Sequence, residues 1–522
     1  MSQPKVIKEV TIDGFSLTFD EFIAVARYGA KVKIADSAME AMTRSRELTE
    51  KISQERRVAY GITTGFGDFA TVAVPEELSN KLSTNLILSH CTATGDPYSI
   101  EQVRGMMLLR ANALCVGISG VRPLIVEMLV AMLNKSVTPH IPQKGSLGAS
   151  GDLAPLSHMG LVLLGKGMAY YEGRLISGKE AMDKAEIPAL DTLVSKEGLG
   201  ITNGTCAMTS VGALNLYDTL EAARLADLIA SMSFIALTGQ LTPFQERMHT
   251  ARGHKGQIKV AKNMRLLTDD SALVKDSQGL RVQDAYSLRC IPQVHGAVRD
   301  SLDYIQEKVE IELNAVTDNP LIFPEDEAVI SGGNFHGEPM ALPFDFLGIA
   351  CSELASISER RLERMVNAQL SNGLPRFLTV DGGINSGFMI VQYTAASMVS
   401  ENKVLAHPAS VDSIPSSANQ EDFVSMGTTA ARKSGQILEN TRSVLAYELL
   451  TACQALDLRL KECKKDRDSL PPTVRKAFET VRREIQFMDC DREIRLDIEK
   501  IEELIRSGEL SALLEEMLPE FE

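Results

Sequence analysis

Three small residues, Ala149-Ser150-Gly151, stand at the centre of the stretch Gly145-Ser146-Leu147-Gly148-Ala149-Ser150-Gly151-Asp152-Leu153-Ala154-Pro155-Leu156-Ser157-His158. Gly151 has no Cβ, so its amide nitrogen can fold back onto the carbonyl carbon of Ala149. That bond closes a five-membered ring. Loss of water from the ring and from the Ser150 side chain then leaves an exocyclic alkene, an electrophile that no coded side chain supplies. Without that chemistry the same residues read as a Gly-rich turn, with Asp152 capping a helix over the apolar stretch 153–164.

Other residue types able to do chemistry are scattered along the chain. Tyr60-Gly61-Ile62-Thr63-Thr64-Gly65-Phe66-Gly67 breaks a helical pattern with three glycines, which makes a loop that can approach a ligand closely. Tyr60 is either a half-buried loop tyrosine or a base, and as a base it needs surroundings that lower a phenol pKa of about 10. His90, after Ser89, ends a helical stretch over 82–91, where a histidine serves as a cap, a packed residue or a ligand contact. Asn203 suits a turn. Tyr286 and Arg289 are three apart and share a helical face. A guanidinium beside a phenol fits a carboxylate, or is a surface arginine packed on a ring. His336 and Glu338 lie in a loop with no third convergent ligand, so no catalytic metal is expected. Glu421 would ordinarily be a charge partner at a helix N-terminus.

In this order, and over roughly residues 10 to 500, these segments resemble the aromatic amino acid ammonia-lyases. The stretch around Ser150 is similar almost letter for letter to that family's cofactor segment. The resemblance implies a 4-methylidene-imidazol-5-one (MIO) ring formed autocatalytically from Ala149, Ser150 and Gly151. It implies that Tyr60, in a "YG-x-x-TGFG" loop, is the base on a mobile lid, with help from Tyr286. Asn203 is implied to hold the ring oxygen as an oxyanion hole does. Phe335 and Gln283, the latter in a "QD-x-YS-x-R" stretch, are also implied at the ring, and Arg289 with Asn319 at the substrate carboxylate. His90 and Glu421 are implied to read the substrate side chain. Ser89-His90 and Gln420-Glu421 match histidine-specific members, and an imidazole satisfies such a pair, whereas a phenyl ring would leave a buried carboxylate unpaired. L-Histidine, yielding urocanate and ammonia, is therefore the expected substrate.

Four departures from the histidine-specific pattern stand beside that expectation: the run Cys91-Thr92-Ala93-Thr94-Gly95, then Cys206, Ala285 and Phe423. A tyrosine or phenylalanine lyase, or a 2,3-aminomutase, would use the same ring, and His90 would also bind a phenol. A non-catalytic helical assembly protein of the same fold would keep Ala149-Ser150-Gly151 uncyclised and release no ammonia.

The elements that must position these residues are expected to be mainly α. The resemblance implies an N-terminal cofactor-bearing domain followed by a fumarase/aspartase-like bundle of long helices. It also implies a homotetramer whose active sites are shared between subunits. The expected division is 1–200, 201–465 and a charged tail, 466–522. Apolar spacing predicts helices over 19–30, 35–55, 104–116, 121–133, 207–237, 287–314, 341–370, 389–406 and 433–460. Alternation around Asp13-Gly14 predicts a hairpin over 6–19.

The 522 residues are 44% hydrophobic, as in a packed globule. Their 69 acidic against 54 basic residues give a net charge of −15, which argues against a nucleic-acid or anionic-membrane surface. Eight scattered cysteines without a CxxC pair read as free thiols. Met1-Ser2-Gln3-Pro4-Lys5 lacks an apolar signal core, and no run of about 18 apolar residues occurs, so a cytoplasmic protein is expected.

Overall fold

A computed structural model describes residues 4–521; Met1, Ser2, Gln3 and Glu522 lie outside the described residues. Helices dominate, and the strands form short two- and three-stranded sheets. The chain divides into two compact units, each assembled from three segments. The first comprises Met1–Leu214, Gln306–Asp345 and Pro408–Arg432, and the second Asn215–Ile305, Phe346–His407 and Lys433–Glu522. This differs from the consecutive division drawn at 200 and 465. Four of the five changes of unit fall inside the continuous helices Cys206–Ala236, Ile291–Glu312, Glu338–Val366 and Gly427–Glu462, where no linker marks them in the sequence, and the fifth falls at His407–Pro408 after the helix Met389–Leu405. The tail helices Pro472–Glu484, Ile494–Arg506 and Glu509–Met517 belong to the second unit.

The first unit opens with a parallel strand pair, Glu9–Ile12 against Lys31–Ile34, around the helix Phe19–Ala26. The expected hairpin is absent among the described residues. The Asp13 carboxylate accepts the backbone N–H groups of Phe15 and Ser16, and Gly14 N–H donates to Asn112 Oδ1. This side-chain turn sends the chain into Phe19–Ala26, which Thr18 and Glu21 close with a capping box. Val10 and Ile12 are buried while Glu9 and Thr11 are exposed, so the period of two was correct and the strand partner was not. Helices Asp36–Gln54, Glu76–His90, Ile100–Cys115, Pro123–Lys135 and Leu153–Leu163 follow the apolar spacing.

In the second unit the helices bury charge as well as carbon. Glu448 accepts Ser233 Oγ and Arg361 Nε on one oxygen, each at 2.6 Å, and Ser358 Oγ at 2.6 Å and Arg361 Nη2 at 2.8 Å on the other. Asp227 is similarly filled by His295 Nδ1, Asn263 Nδ2 and Arg299 Nη2. One helix, Glu338–Val366, is long and apolar enough to cross a membrane by length and composition alone; 67% of its apolar window is buried inside the protein.

Candidate active site

The site begins with two glycines pressed together. Gly151 and Gly204 form a parallel bridge in which Gly204 N–H donates to Ser150 O at 3.3 Å and Asp152 N–H donates to Gly204 O at 2.7 Å. Gly151 has φ 74°, and a Cβ on it would lie 2.1 Å from Gly204 O, so only glycine fits. Asp152 does not cap Leu153–Leu163, contrary to the turn-and-cap reading. Its carboxylate instead accepts the N–H groups of Ala207 and Met208, both at 2.9 Å, in the first turn of Cys206–Ala236. It also accepts the hydroxyls of Ser146 and Thr428. A fully buried carboxylate thus satisfies the orphan donors of a helix start and pins the Ala149-Ser150-Gly151 backbone to the first turn of the 31-residue helix Cys206–Ala236. Burial pushes the Asp152 carboxyl above its ordinary value, and the four hydrogen bonds offset only part of that.

A cavity of about 1260 Å³ opens beside this bridge, and Tyr60, His90, Ser150, Asn203, Asn319, Phe335 and Glu421 line it together. Ala149 and Gly151 line a smaller adjoining cavity that shares His90 and Glu421. Ser150 Oγ donates to Glu421 Oε1 at 3.3 Å, and Ser416 Oγ donates to Oε2 at 3.2 Å. Glu421 is therefore a cavity carboxylate facing the hydroxyl of the cyclisation segment, not a helix-start charge. His90 Nδ1 lies 2.9 Å from Ser89 Oγ. Burial holds the His90 imidazole below its ordinary value, against the Leu86 carbonyl and the Glu421 carboxylate, which favour the charged form.

Tyr60 departs from what a resting base requires. Its oxygen accepts Gly67 N–H at 3.0 Å, and its ring meets Phe66 edge-on. Burial pushes the phenol above its ordinary value, Gly67 offsets part of that, and Glu421 pushes it up further. In this state Tyr60 is a protonated phenol. Asn203, 2% exposed, turns its Nδ2 toward Asn319 O at 3.2 Å and Asp318 Oδ1 at 3.5 Å, which leaves Oδ1 buried without a partner. Asn319 Oδ1 accepts Gly332 N–H at 2.7 Å.

Gln283, Tyr286 and Arg289 belong to the second unit and do not line this cavity. They form a cluster of their own. Arg289 Nη1 donates to Gln283 Oε1, and its guanidinium lies 4.6 Å from the centre of the Tyr286 ring, which is 71% exposed. His336 spends both nitrogens on backbone, accepting Glu338 N–H at 3.3 Å and donating to Phe423 O at 3.2 Å. Sequence reasoning missed three residues beneath Asn203, namely Arg110, Lys196 and Asp318. Lys196 and Asp318 form an ion pair with fully buried side chains, and Arg110 donates to the Asn203 carbonyl. Arg110 lies in mid-helix and Lys196 before a glutamate, and neither stands out in the sequence; only the proximity of Asp318 to Asn319 was a signal.

A family model described as aromatic amino acid lyase matches residues 17–483. The chain belongs to the aromatic amino acid lyase family. It is 52% identical, over 516 residues and 99% of each chain, to a protein of Fusobacterium nucleatum named histidine ammonia-lyase 1. Among solved structures it is similar to a histidine ammonia-lyase from Trypanosoma cruzi, with TM-score 0.89, 40% identity, and 98% of this chain and 96% of that one covered. It is also similar to a tyrosine aminomutase from Streptomyces globisporus, with TM-score 0.92, 37% identity and coverage of 97% and 98%. Mainly helical architecture and carbon–nitrogen lyase chemistry follow from membership of this aromatic amino acid lyase family.

Proposed function

We propose that the chain eliminates ammonia from L-histidine to give urocanate, using an MIO group made from Ala149, Ser150 and Gly151. The observation that carries this reading is the Glu421 carboxylate, 3.3 Å from Ser150 Oγ, sharing its cavity with a neutral His90. A carboxylate and an imidazole offer hydrogen bonds that a heteroaromatic ring uses and a phenyl ring does not. Similarity to proteins named histidine ammonia-lyase supports the choice.

The residues fit the cyclised group. Gly151 has no room for a Cβ, Ala149 is small and buried, and Asn203 keeps one buried polar atom unpartnered beside them. Once formed, the ring supplies the electrophilic alkene carbon that the side chains lack. Asn203 Nδ2 carries two hydrogens, so with one held on Asn319 O the other can be offered to the ring oxygen. Asn319, with Oδ1 held by Gly332, keeps its amide nitrogen for the substrate carboxylate. His90 and Glu421 hold the imidazole and so orient the β-carbon. Tyr60 receives the β-proton, and for that it must first be ionised.

A cation is needed for that ionisation, and the cavity lining contains no Lys or Arg. We assign that role to Arg289, delivered with Tyr286 and Gln283 by another copy in a homotetramer. The largely exposed Tyr286, and exposed Ile390, Tyr393 and Val404 on the helix Met389–Leu405, suit burial in such an assembly.

A second reading, tyrosine lyase or 2,3-aminomutase, is favoured by Phe423 and by the similarity to the tyrosine aminomutase. Ultraviolet scans with L-histidine, L-tyrosine and L-phenylalanine, with ammonia assayed alongside, separate the two. Urocanate from L-histidine alone is expected, together with an intact mass two waters below that of the sequence. Coumarate or β-tyrosine from L-tyrosine, without urocanate, would overturn the assignment. Ser150→Ala is expected to fold, keep both waters and lose nearly all turnover.

A further inference from the structure

We propose that the buried pair Lys196–Asp318 is a positioning pair for this chemistry, fixing the Asn203 and Asn319 amides against Ser150; the inference rests on the reading of the cavity given above. Lys196 Nζ lies 2.7 Å from Asp318 Oδ2, and neither side chain has exposed area. The other oxygen of the same carboxylate faces the site. Asp318 Oδ1 accepts Asn319 N–H at 2.7 Å and lies 3.5 Å from Asn203 Nδ2. Asn203 Nδ2 in turn donates to Asn319 O at 3.2 Å, which closes a ring of hydrogen bonds through the Asn203 side-chain amide and the Asn319 backbone. One carboxylate thus has one oxygen for the lysine and one for the two site residues.

Lys196, more than the nearby Arg110, holds that carboxylate below its ordinary value against burial. Without the lysine the neutral form gains ground, and a neutral carbonyl oxygen holds Asn319 and Asn203 more weakly than a carboxylate does. The lysine also sits in a costly conformation. Its φ is 73°, in the left-handed region that disfavours any residue with a Cβ. The turn is clamped next door, where Arg122 Nε and Nη2 bind Glu197 at 2.5 and 2.8 Å and Val194 N–H donates to Glu197 Oε2 at 2.9 Å. A buried apolar residue would carry the same backbone cost here but would have no charge to neutralise. Retention of a charged and conformationally costly residue directly beneath two site amides points to a role in their placement.

The test uses the full-length protein with both charges removed, Lys196→Met with Asp318→Asn, because a single change strands the buried charge of its partner, while Arg110 keeps its bond to the Asn203 carbonyl in the double variant. Circular dichroism and oligomeric state are expected to match the parent. In that folded variant, kcat/KM for L-histidine is expected to fall about 100-fold, the cost of ångström-scale misplacement. The loss is expected in both terms, kcat through Asn203 and KM through Asn319. Intact mass, read separately, is expected to show a larger uncyclised fraction. A pair that only stabilises the fold would leave kcat/KM within about threefold and the mass unchanged in the folded double variant, and that result overturns the proposal.

Asp318→Glu keeps the ion pair while displacing the oxygen that meets the amides. It is the second variant if the first is not recovered folded, with the same loss expected and the same retention overturning. If the parent protein itself releases no ammonia from L-histidine, the functional reading has failed. If the parent is active and the variants match it, only the positioning role has.

Discussion

Two buried networks, one in each unit, are satisfied to different degrees. In the second unit every carboxylate oxygen of Glu448 and Asp227 has a partner at 2.6 to 3.0 Å, and only Arg299 Nε in that network is left without one. In the first, Asn203 Oδ1 and two nitrogens of Arg110 are buried without a partner, and Tyr60 and Glu421 face a large cavity. A closed network specifies one packing of helices. An open one stores unsatisfied hydrogen-bonding capacity where a ligand or a modified backbone can take it up. Burial of charge therefore does not mark function in this chain. Incomplete satisfaction beside a cavity does.

Breaking the closed network should cost stability first. Arg361→Met leaves Glu448 buried and unpaired, so we expect about 3–5 kcal/mol less stability by urea denaturation, with activity following the folded fraction. Replacing both partners, Arg361→Met with Glu448→Met, should recover most of that loss. A single variant as stable as the parent would mean that Glu448 has other charge partners. Breaking the open network should do the reverse. Asn203→Ala is expected to lower kcat about 10²–10³-fold, as removal of one oxyanion-type donor does, and to leave the urea midpoint close to that of the parent. A variant that lost stability but kept kcat would place Asn203 with the structural residues.

The same contrast explains what the sequence disclosed. Ala149-Ser150-Gly151 stood out because backbone cyclisation demands small residues in a fixed order, and the structure leaves no room for a Cβ on Gly151 against Gly204. Tyr60, His90, Asn203, Asn319, Phe335 and Glu421 were singled out through the family resemblance, and they do line one cavity. The long helices were legible from apolar period, yet the units they build were not, since a helix passing from one unit to the next has no break to read. Asp13-Gly14 misled because a local side-chain turn and a hairpin turn use the same residues. Asp152 misled because the helix it caps begins more than fifty positions downstream, where no local pattern points. Lys196 was invisible: a lysine before a glutamate reads as solvated charge, and only the fold brings Asp318 to it.

The subtlest test concerns Glu421, which touches the site both as a hydrogen-bonding group and as a charge. Its carboxylate raises the Tyr60 phenol and also supports protonation of His90. Glu421→Gln keeps the size and removes the charge. A negative charge favours the protonated form of any neighbour, so its loss lowers both pKa values. In the pH profile of kcat/KM, which reports groups of the free enzyme, activity rises as His90 and then Tyr60 lose their protons, so both steps of that rise should move to lower pH. Turnover of L-histidine should also fall, because the imidazole loses an acceptor, while assembly should not change. Movement of the Tyr60 step alone would take His90 out of the field of Glu421. Movement of neither would mean that the observed steps belong to groups outside this cavity.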